Sequence, residues 1–272
     1  MVLRLPTPTA ITRSAPEGYG HRSKGSSEHP QIASIVVNTG ASSEERAIAL
    51  ESLCAEANRC ELCPQLVASR SQVVFGSGNA DAQLMFVGEA PGASEDRDGV
   101  PFVGASGKLL GDLLTGIGTS RDEVYIANVL KCRPPENRDP RSDEIANCSH
   151  FLRGQIELVK PVVVVTLGNF ATKLLRENDE GITAIHGQAE LRSFGQRSVW
   201  LYPVFHPAAA LYRRPNLELL REDFARLPQM IADGAPQQAA AVVLKPEPEP
   251  VPAPGQEPNP APETGAPQLD LF

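Results

Sequence analysis

Val162-Val163-Val164-Val165-Thr166-Leu167 is apolar at nearly every position. A strand with one wet face alternates apolar and polar residues, so an unbroken run of this kind marks a strand covered on both faces. Shorter runs recur outward from it at Gln72–Phe75, Leu84–Val87, Val124–Val129 and Val199–Phe205. Helical periodicity falls between them at Ser106–Thr115, Ser142–Val159, Gly168–Arg176 and Asn216–Ile231. Another helix starts at Ser42-Ser43-Glu44-Glu45 and runs through Ala47, Leu50 and Leu53. Strand–helix alternation predicts an α/β fold with a parallel sheet sandwiched by helices.

Composition sets the boundaries of that domain. Residues 1–42 are rich in Ser, Thr, Pro and Gly without sustained periodicity and read as a flexible arm. The folded domain is expected over residues 43–232. Residues 233–267 are dominated by Pro, Ala, Glu and Gln, as in Lys245-Pro246-Glu247-Pro248-Glu249-Pro250, and read as a solvated, disordered linker. The last five residues, Gln268-Leu269-Asp270-Leu271-Phe272, end the chain on large apolar side chains. No apolar run is long enough to span a bilayer and the start lacks a signal-peptide core, so a cytoplasmic protein without membrane contact is expected.

The formal net charge of −8 argues against global attraction to nucleic acid. Much of it belongs to the tail, where Asp233, Glu247, Glu249, Glu257, Glu263 and Asp270 face Lys245 alone. The folded part is still mildly acidic. Any contact with DNA must therefore rest on a local basic face.

Cys60-Glu61-Leu62-Cys63 has the spacing of a metal-ligand arm, and Cys132 and Cys148 supply a second pair far downstream. Without a secretion signal, metal binding is the expectation rather than disulfides. Four thiolates make a closed, soft shell suited to zinc or to an iron–sulfur cube. Such a site would staple the N-terminal segment onto the α/β domain.

Three strand ends carry polar residues. Gly88-Glu89-Ala90-Pro91-Gly92 follows the Leu84–Val87 strand, with Glu95, Asp96 and Asp98 further along and then Pro101-Phe102-Val103-Gly104. Ligands of open α/β sheets bind beyond the carboxyl ends of strands. Asn128 ends the next strand, and its carboxamide offers a donor and an acceptor that suit the edge of a base. His206-Pro207 ends the last. Lys131, Arg133, Arg138 and Arg141 flank Asn128, and Arg213 and Arg214 follow His206; as a set they could hold phosphates. Each residue alone has a bland explanation, whereas convergence at one rim does not.

Taken together these strings resemble the family 4 uracil-DNA glycosylases, the bacterial and archaeal iron–sulfur type, over roughly residues 45–231. Gly88-Glu89-Ala90-Pro91-Gly92 with Glu95-Asp96, Pro101-Phe102-Val103-Gly104, Asn128 before Lys131-Cys132-Arg133-Pro134-Pro135-Glu136-Asn137-Arg138, and His206-Pro207 carry the likeness, with the cysteines. The resemblance implies a three-layer α/β/α sandwich with a short, mainly parallel central sheet. It implies a 4Fe–4S cluster on Cys60, Cys63, Cys132 and Cys148, with Cys54 outside the pattern and zinc the alternative on ligand chemistry. Ala208 departs from it, since a serine is frequent after the His-Pro pair. A basic, His-containing insertion that marks covalently trapping members is missing, so turnover is expected.

The implied activity is hydrolysis of the N-glycosidic bond of flipped-out deoxyuridine, leaving an abasic site for base excision repair. By similarity Phe102 stacks on uracil, Asn128 reads its edge, and Ala90 belongs to the same pocket. His206 stabilises the leaving anion, Glu89 serves the cationic sugar or water, and Glu95 refuses the thymine methyl. Lys131, Arg133, Arg138, Arg213 and Arg214 are the expected phosphate contacts. The partner is uracil-containing DNA, single- or double-stranded, met by a nucleoid-associated monomer. Gln268, Leu269, Leu271 and Phe272 resemble the short peptide that docks bacterial repair proteins on the replication sliding clamp. The competing reading is a non-catalytic iron–sulfur protein that binds damaged DNA without releasing base; a redox sensor is a second rival.

Overall fold

The valine run lies in the middle of a six-stranded sheet. The computed structural model describes residues 41–238. The strands are β1 (Ser77–Gly78), β2 (Leu84–Gly88), β3 (Tyr125–Asn128), β4 (Val163–Leu167), β5 (Glu190–Phe194) and β6 (Arg197–Val204), in the order β1-β3-β2-β4-β6-β5. The inner four, β3-β2-β4-β6, are mutually parallel, and the edge strands β1 and β5 are antiparallel to their neighbours. The helices are α1 (Ser43–Asn58), α2 (Pro64–Ser69), α3 (Ala93–Asp98), α4 (Ala105–Gly116), α5 (Ser142–Val159), α6 (Asn169–Arg176), α7 (Ile182–Ile185), α8 (Pro207–Leu211), α9 (Arg214–Ala225) and α10 (Leu227–Asp233).

Side-chain parity divides the inner strands between two cores. Leu84, Phe86, Ile126, Val163, Val165, Tyr202 and Val204 join α4, α9 and α10 on one face. Met85, Val87, Tyr125, Ala127, Val164, Val199 and Leu201 join α1, α5 and α6 on the other. The apolar valine run is thus two half-sets aimed at opposite layers, which is why it carries no alternation.

Several expectations shift. Gln72–Phe75 is not a strand: Val74 N–H donates to the Lys131 carbonyl at 2.7 Å and the Phe75 carbonyl accepts from Gln155, so the segment is held by loop and side-chain bonds. The helix expected over Asn216–Ile231 is two, α9 and α10, with Pro228 in the first turn of the second, where its missing N–H costs nothing. β5 escaped the reading because Glu190–Phe194 has neither an apolar run nor regular alternation and is only half buried, as befits an edge.

The linker expected from residue 233 begins later. Pro236 is buried, and the Gln238 carboxamide both accepts from and donates to the Ser198 backbone, at 2.9 and 3.0 Å. The expected arm (apart from Ala41 and Ser42, the N-cap of α1), the rest of the linker and the terminal peptide Gln268–Phe272 lie outside the described residues. No helix among the described residues is long and apolar enough to cross a membrane.

Candidate active site and cysteine pocket

Parallel register delivers the site. Gly88 pairs with Asn128 across β2 and β3, and Leu167 pairs with Val204 across β4 and β6, so the carboxyl ends of these strands form one rim. At Gly88 the backbone has no room for a side chain: a Cβ would stand 2.7 Å from Cζ of Phe102 and press on Oδ1 of Asn128. The ring and the carboxamide therefore meet over this glycine. Asn128 is only 2% exposed, and among the described residues no protein group is seen hydrogen-bonding its carboxamide, whose polar atoms keep a sliver of solvent contact. A carboxamide set in this way can exchange that contact for a ligand's edge.

Phe102 reaches the rim through an unusual backbone. Its φ is 54°, left-handed for an aromatic residue, and its ring is buried. Arg121 fixes this conformation, donating to the Pro101 carbonyl at 2.8 Å and to the Phe102 carbonyl at 3.0 Å. Glu95 fixes the other side of the loop: Gly92, Val103 and Gly104 each donate a backbone N–H to its carboxylate at 3.1 Å. Glu95 is thus locked in place at the loop that carries Phe102. Asp96 beside it is buried and accepts from the Ser71 N–H.

His206 closes the rim. Its ring centroid lies 5.7 Å from that of Phe102, and its Cβ packs against Gly168, which ends β4 at φ 89°. Nδ1 accepts from the Ala208 N–H at 3.1 Å, so in the neutral ring the proton sits on Nε2. Burial holds the imidazole neutral, pushing its pKa down to about 4 against the weaker pull of the Glu95 charge. Glu89 stands half-buried in the loop after β2. Burial, with the Asp139 charge as a smaller contribution, raises its carboxyl above the usual range. Ala90 follows it, partly exposed.

The expected phosphate contacts separate. Arg213 and Arg214 are exposed at the start of α9, beside Tyr212, which is 88% exposed. Arg133 is half-buried and donates to Asn137 at 2.9 Å. Arg138 turns inward and forks onto buried Glu144 at 2.9 and 2.6 Å, holding the first turn of α5. Lys131 is a correction: it is 1% exposed, and its ammonium donates to the Asn128 carbonyl at 2.8 Å and to Gln155 Oε1 at 2.6 Å. It cannot reach a phosphate.

On the other face of the sheet, Cys60, Cys63, Cys132 and Cys148 border a single small pocket with Ala57, Leu66, Arg70, Lys131, Asn147 and Phe151. Arg70 donates to Cys132 Sγ at 3.1 Å, the Lys131 N–H to Cys148 Sγ at 3.3 Å, and Asn147 to Cys63 Sγ at 3.7 Å. Burial raises Cys63 and Cys132 and takes Cys148 up to about 12, so metal-free thiols would stay protonated. Two cations beside neutral thiols make little electrostatic sense; beside metal-bound thiolates they balance charge. The residues therefore fit a thiolate-held group. Among the described residues no three His, Cys, Asp or Glu side chains are arranged to hold a single metal ion. Cys54 lies outside the pocket, bonded to Asn58.

Sequence reasoning missed Arg70, Arg121 and Gln155. Each acts through a contact more than a dozen residues away, which no local pattern announces.

A mainly parallel sheet whose rim brings an aromatic ring, a carboxamide and a neutral imidazole together has the layout of a ligand-binding α/β domain. The chain matches the uracil DNA glycosylase superfamily over residues 75–227, more than half its length, and belongs to that family. Within it the chain falls among the type-4 members. It is 44% identical over 187 residues to the type-4 uracil-DNA glycosylase of Sulfurisphaera tokodaii, covering 66% of this chain and 84% of that one. Identity is 41% over 188 residues to that of Saccharolobus solfataricus (67% and 87%) and 40% over 192 residues to that of Archaeoglobus fulgidus (69% and 96%).

Proposed function

We propose that this chain removes uracil from DNA by hydrolysing the N-glycosidic bond of an everted deoxyuridine, the first step of base excision repair. The observation that carries this reading is the meeting of Phe102 and Asn128 over Gly88, with neutral His206 alongside. Phe102 stacks on the flipped base, and Asn128 pairs with its O4 and N3–H edge. Cytosine reverses donor and acceptor there and leaves buried groups unpaired, at about 1–3 kcal/mol each. Glu95, locked by three backbone N–H groups, fills the space a thymine methyl would need.

As the C1′–N1 bond breaks, its electron pair leaves with uracil and positive charge gathers on the sugar. Nε2–H of His206 donates to O2 of the uracil anion, a contact commonly worth about 3–4 kcal/mol. Glu89, the carboxylate of this loop without a protein donor, faces the sugar cation and orients the water whose oxygen bonds C1′. That water's second proton passes to solvent, and the uracil anion is neutralised from solvent.

Cys60, Cys63, Cys132 and Cys148 hold a 4Fe–4S cluster in this reading, supported by the N–H···S bonds and the flanking cations. Its chemistry there is structural cross-linking. DNA backbone contact falls to Arg213 and Arg214, with exposed Tyr212 able to stack beside the vacated position and Arg133 near the other lip. Such a protein works at the nucleoid, and the terminal Gln268-Leu269-Asp270-Leu271-Phe272 would tether it to the sliding clamp. Deleting those five residues should abolish clamp pull-down and leave excision from a free oligonucleotide unchanged.

The test is incubation with a single-uracil oligonucleotide followed by alkali. Strand scission at the uracil is expected, and His206→Ala should cut the single-turnover rate by about 10²–10³ with affinity for abasic-site DNA retained. Binding to the uracil oligonucleotide without base release would overturn the reading in favour of a silent damage binder.

A further inference from the structure

Lys131 is a buried cation that faces no carboxylate in its hydrogen bonds and meets no DNA. Its four polar connections run in four directions. The main-chain N–H donates to Cys148 Sγ at 3.3 Å, and the main-chain carbonyl accepts from Val74 at 2.7 Å. The ammonium donates to the Asn128 carbonyl and to Gln155 Oε1, and it lies 5.8 Å from the centroid of the Phe75 ring. Gln155 stands on α5 two turns beyond Cys148, and its Nε2 donates to the Phe75 carbonyl at 2.8 Å and the Tyr125 hydroxyl at 3.1 Å. Every donor and acceptor of that carboxamide is thereby fixed.

Asn128 is the last residue of β3, and β1 pairs that strand only at Tyr125 and Ile126, so the Asn128 carbonyl takes the Lys131 ammonium as its partner. The N–H of the same peptide, that of Val129, donates to the Gly88 carbonyl at 2.9 Å; without the second anchor the plane can pivot about the first, and Cβ moves with it. At Asn128 that motion would carry the carboxamide out of line with the base edge.

We propose that Lys131 is a positioning residue for uracil recognition: its ammonium fixes the Asn128 peptide, and its backbone ties the same turn to the cysteine pocket. The rim and the pocket share one junction, and uracil discrimination depends on a residue that touches neither base nor phosphate. This rests on the reading of Asn128 as the uracil reader.

The test uses the full chain with its metal, in the variants Lys131→Met, Gln155→Leu and Asn128→Ala. Inhibition of excision by free uracil reports the reader; affinity for abasic-site DNA, its salt dependence, and the iron-to-protein ratio report everything else. Lys131→Met is expected to raise the uracil inhibition constant about tenfold while the other three readouts stay within about twofold. Gln155→Leu, further from the sulfurs, should move the constant in the same direction by less, and it decides the matter where Lys131→Met loses iron. The inference fails if Asn128→Ala weakens uracil inhibition but neither of the other variants does. It fails equally if Lys131→Met lowers abasic-DNA affinity with a shallower salt slope, the mark of a phosphate contact. An Asn128→Ala protein still inhibited normally by uracil would remove the reader assignment itself.

Discussion

The rim at the strand ends and the cysteine pocket lie at the same end of the sheet on opposite faces, and they treat polar atoms in opposite ways. At the rim, the Asn128 carboxamide, the Glu89 carboxylate and Nε2 of His206 show no protein hydrogen bond among the described residues, and although their residues are wholly or partly buried none of these atoms is sealed from solvent. In the pocket, Cys63, Cys132 and Cys148 each receive a hydrogen bond, and the cations Arg70 and Lys131 are themselves anchored. Unpartnered buried groups are tolerable where a ligand arrives and departs. Saturated ones suit an occupant that stays.

The largest expected effect breaks the permanent site. Cys148→Ala should lose iron and lower the melting temperature by about 10 °C or more, since a structural metal contributes folding energy directly; calorimetry and visible absorbance check it. A protein that kept its melting temperature without iron would show the pocket to be dispensable. Gly88→Ala addresses the transient site. The new Cβ collides with Phe102 and Asn128 together, and single-turnover excision should fall about 100-fold, in line with a misplaced reacting group, while iron content stays normal. Equal loss of iron in this variant would mean that the two regions are one cooperative unit.

Arg121→Gln should act more gently. It frees the Pro101 and Phe102 carbonyls, relaxes the left-handed turn and weakens free-uracil inhibition by about tenfold, with little change in abasic-DNA affinity. The smallest effect is on pH. Because burial holds His206 near 4 in the fold against an ordinary value of 6.5, the unfolded chain binds more protons between those values. Stability should therefore be unaffected above about pH 6.5, decline as pH falls toward about 4, and level off below. Melting curves of His206→Gln should show a shallower acid slope; an identical slope would place the imidazole in water.

Much of this molecule was legible in the chain. The strands β2, β3, β4 and β6 and the helix Ser142–Val159 follow from apolar runs and periodicity, because burial on both faces leaves a local mark. Strand ends identified Glu89, Asn128 and His206, since the rim of a parallel sheet is fixed by where strands stop. Roles that depend on orientation were not legible. Lys131 has the residue type of a phosphate anchor, yet burial removes it from that role, and the three backbone amides that lock Glu95 follow from loop geometry that no local pattern announces.

By itself the sequence determined the layered α/β class, the cysteine set and the rim residues, because hydrophobic pattern, ligand spacing and strand termination are local properties. Only the tertiary structure decided which face each strand residue buries, which charges are neutralised, and which backbone carbonyls Arg121, Gln155 and Lys131 hold. Those outcomes depend on hydrogen bonds between segments far apart along the chain, and on desolvation, which no residue carries until its neighbours close over it.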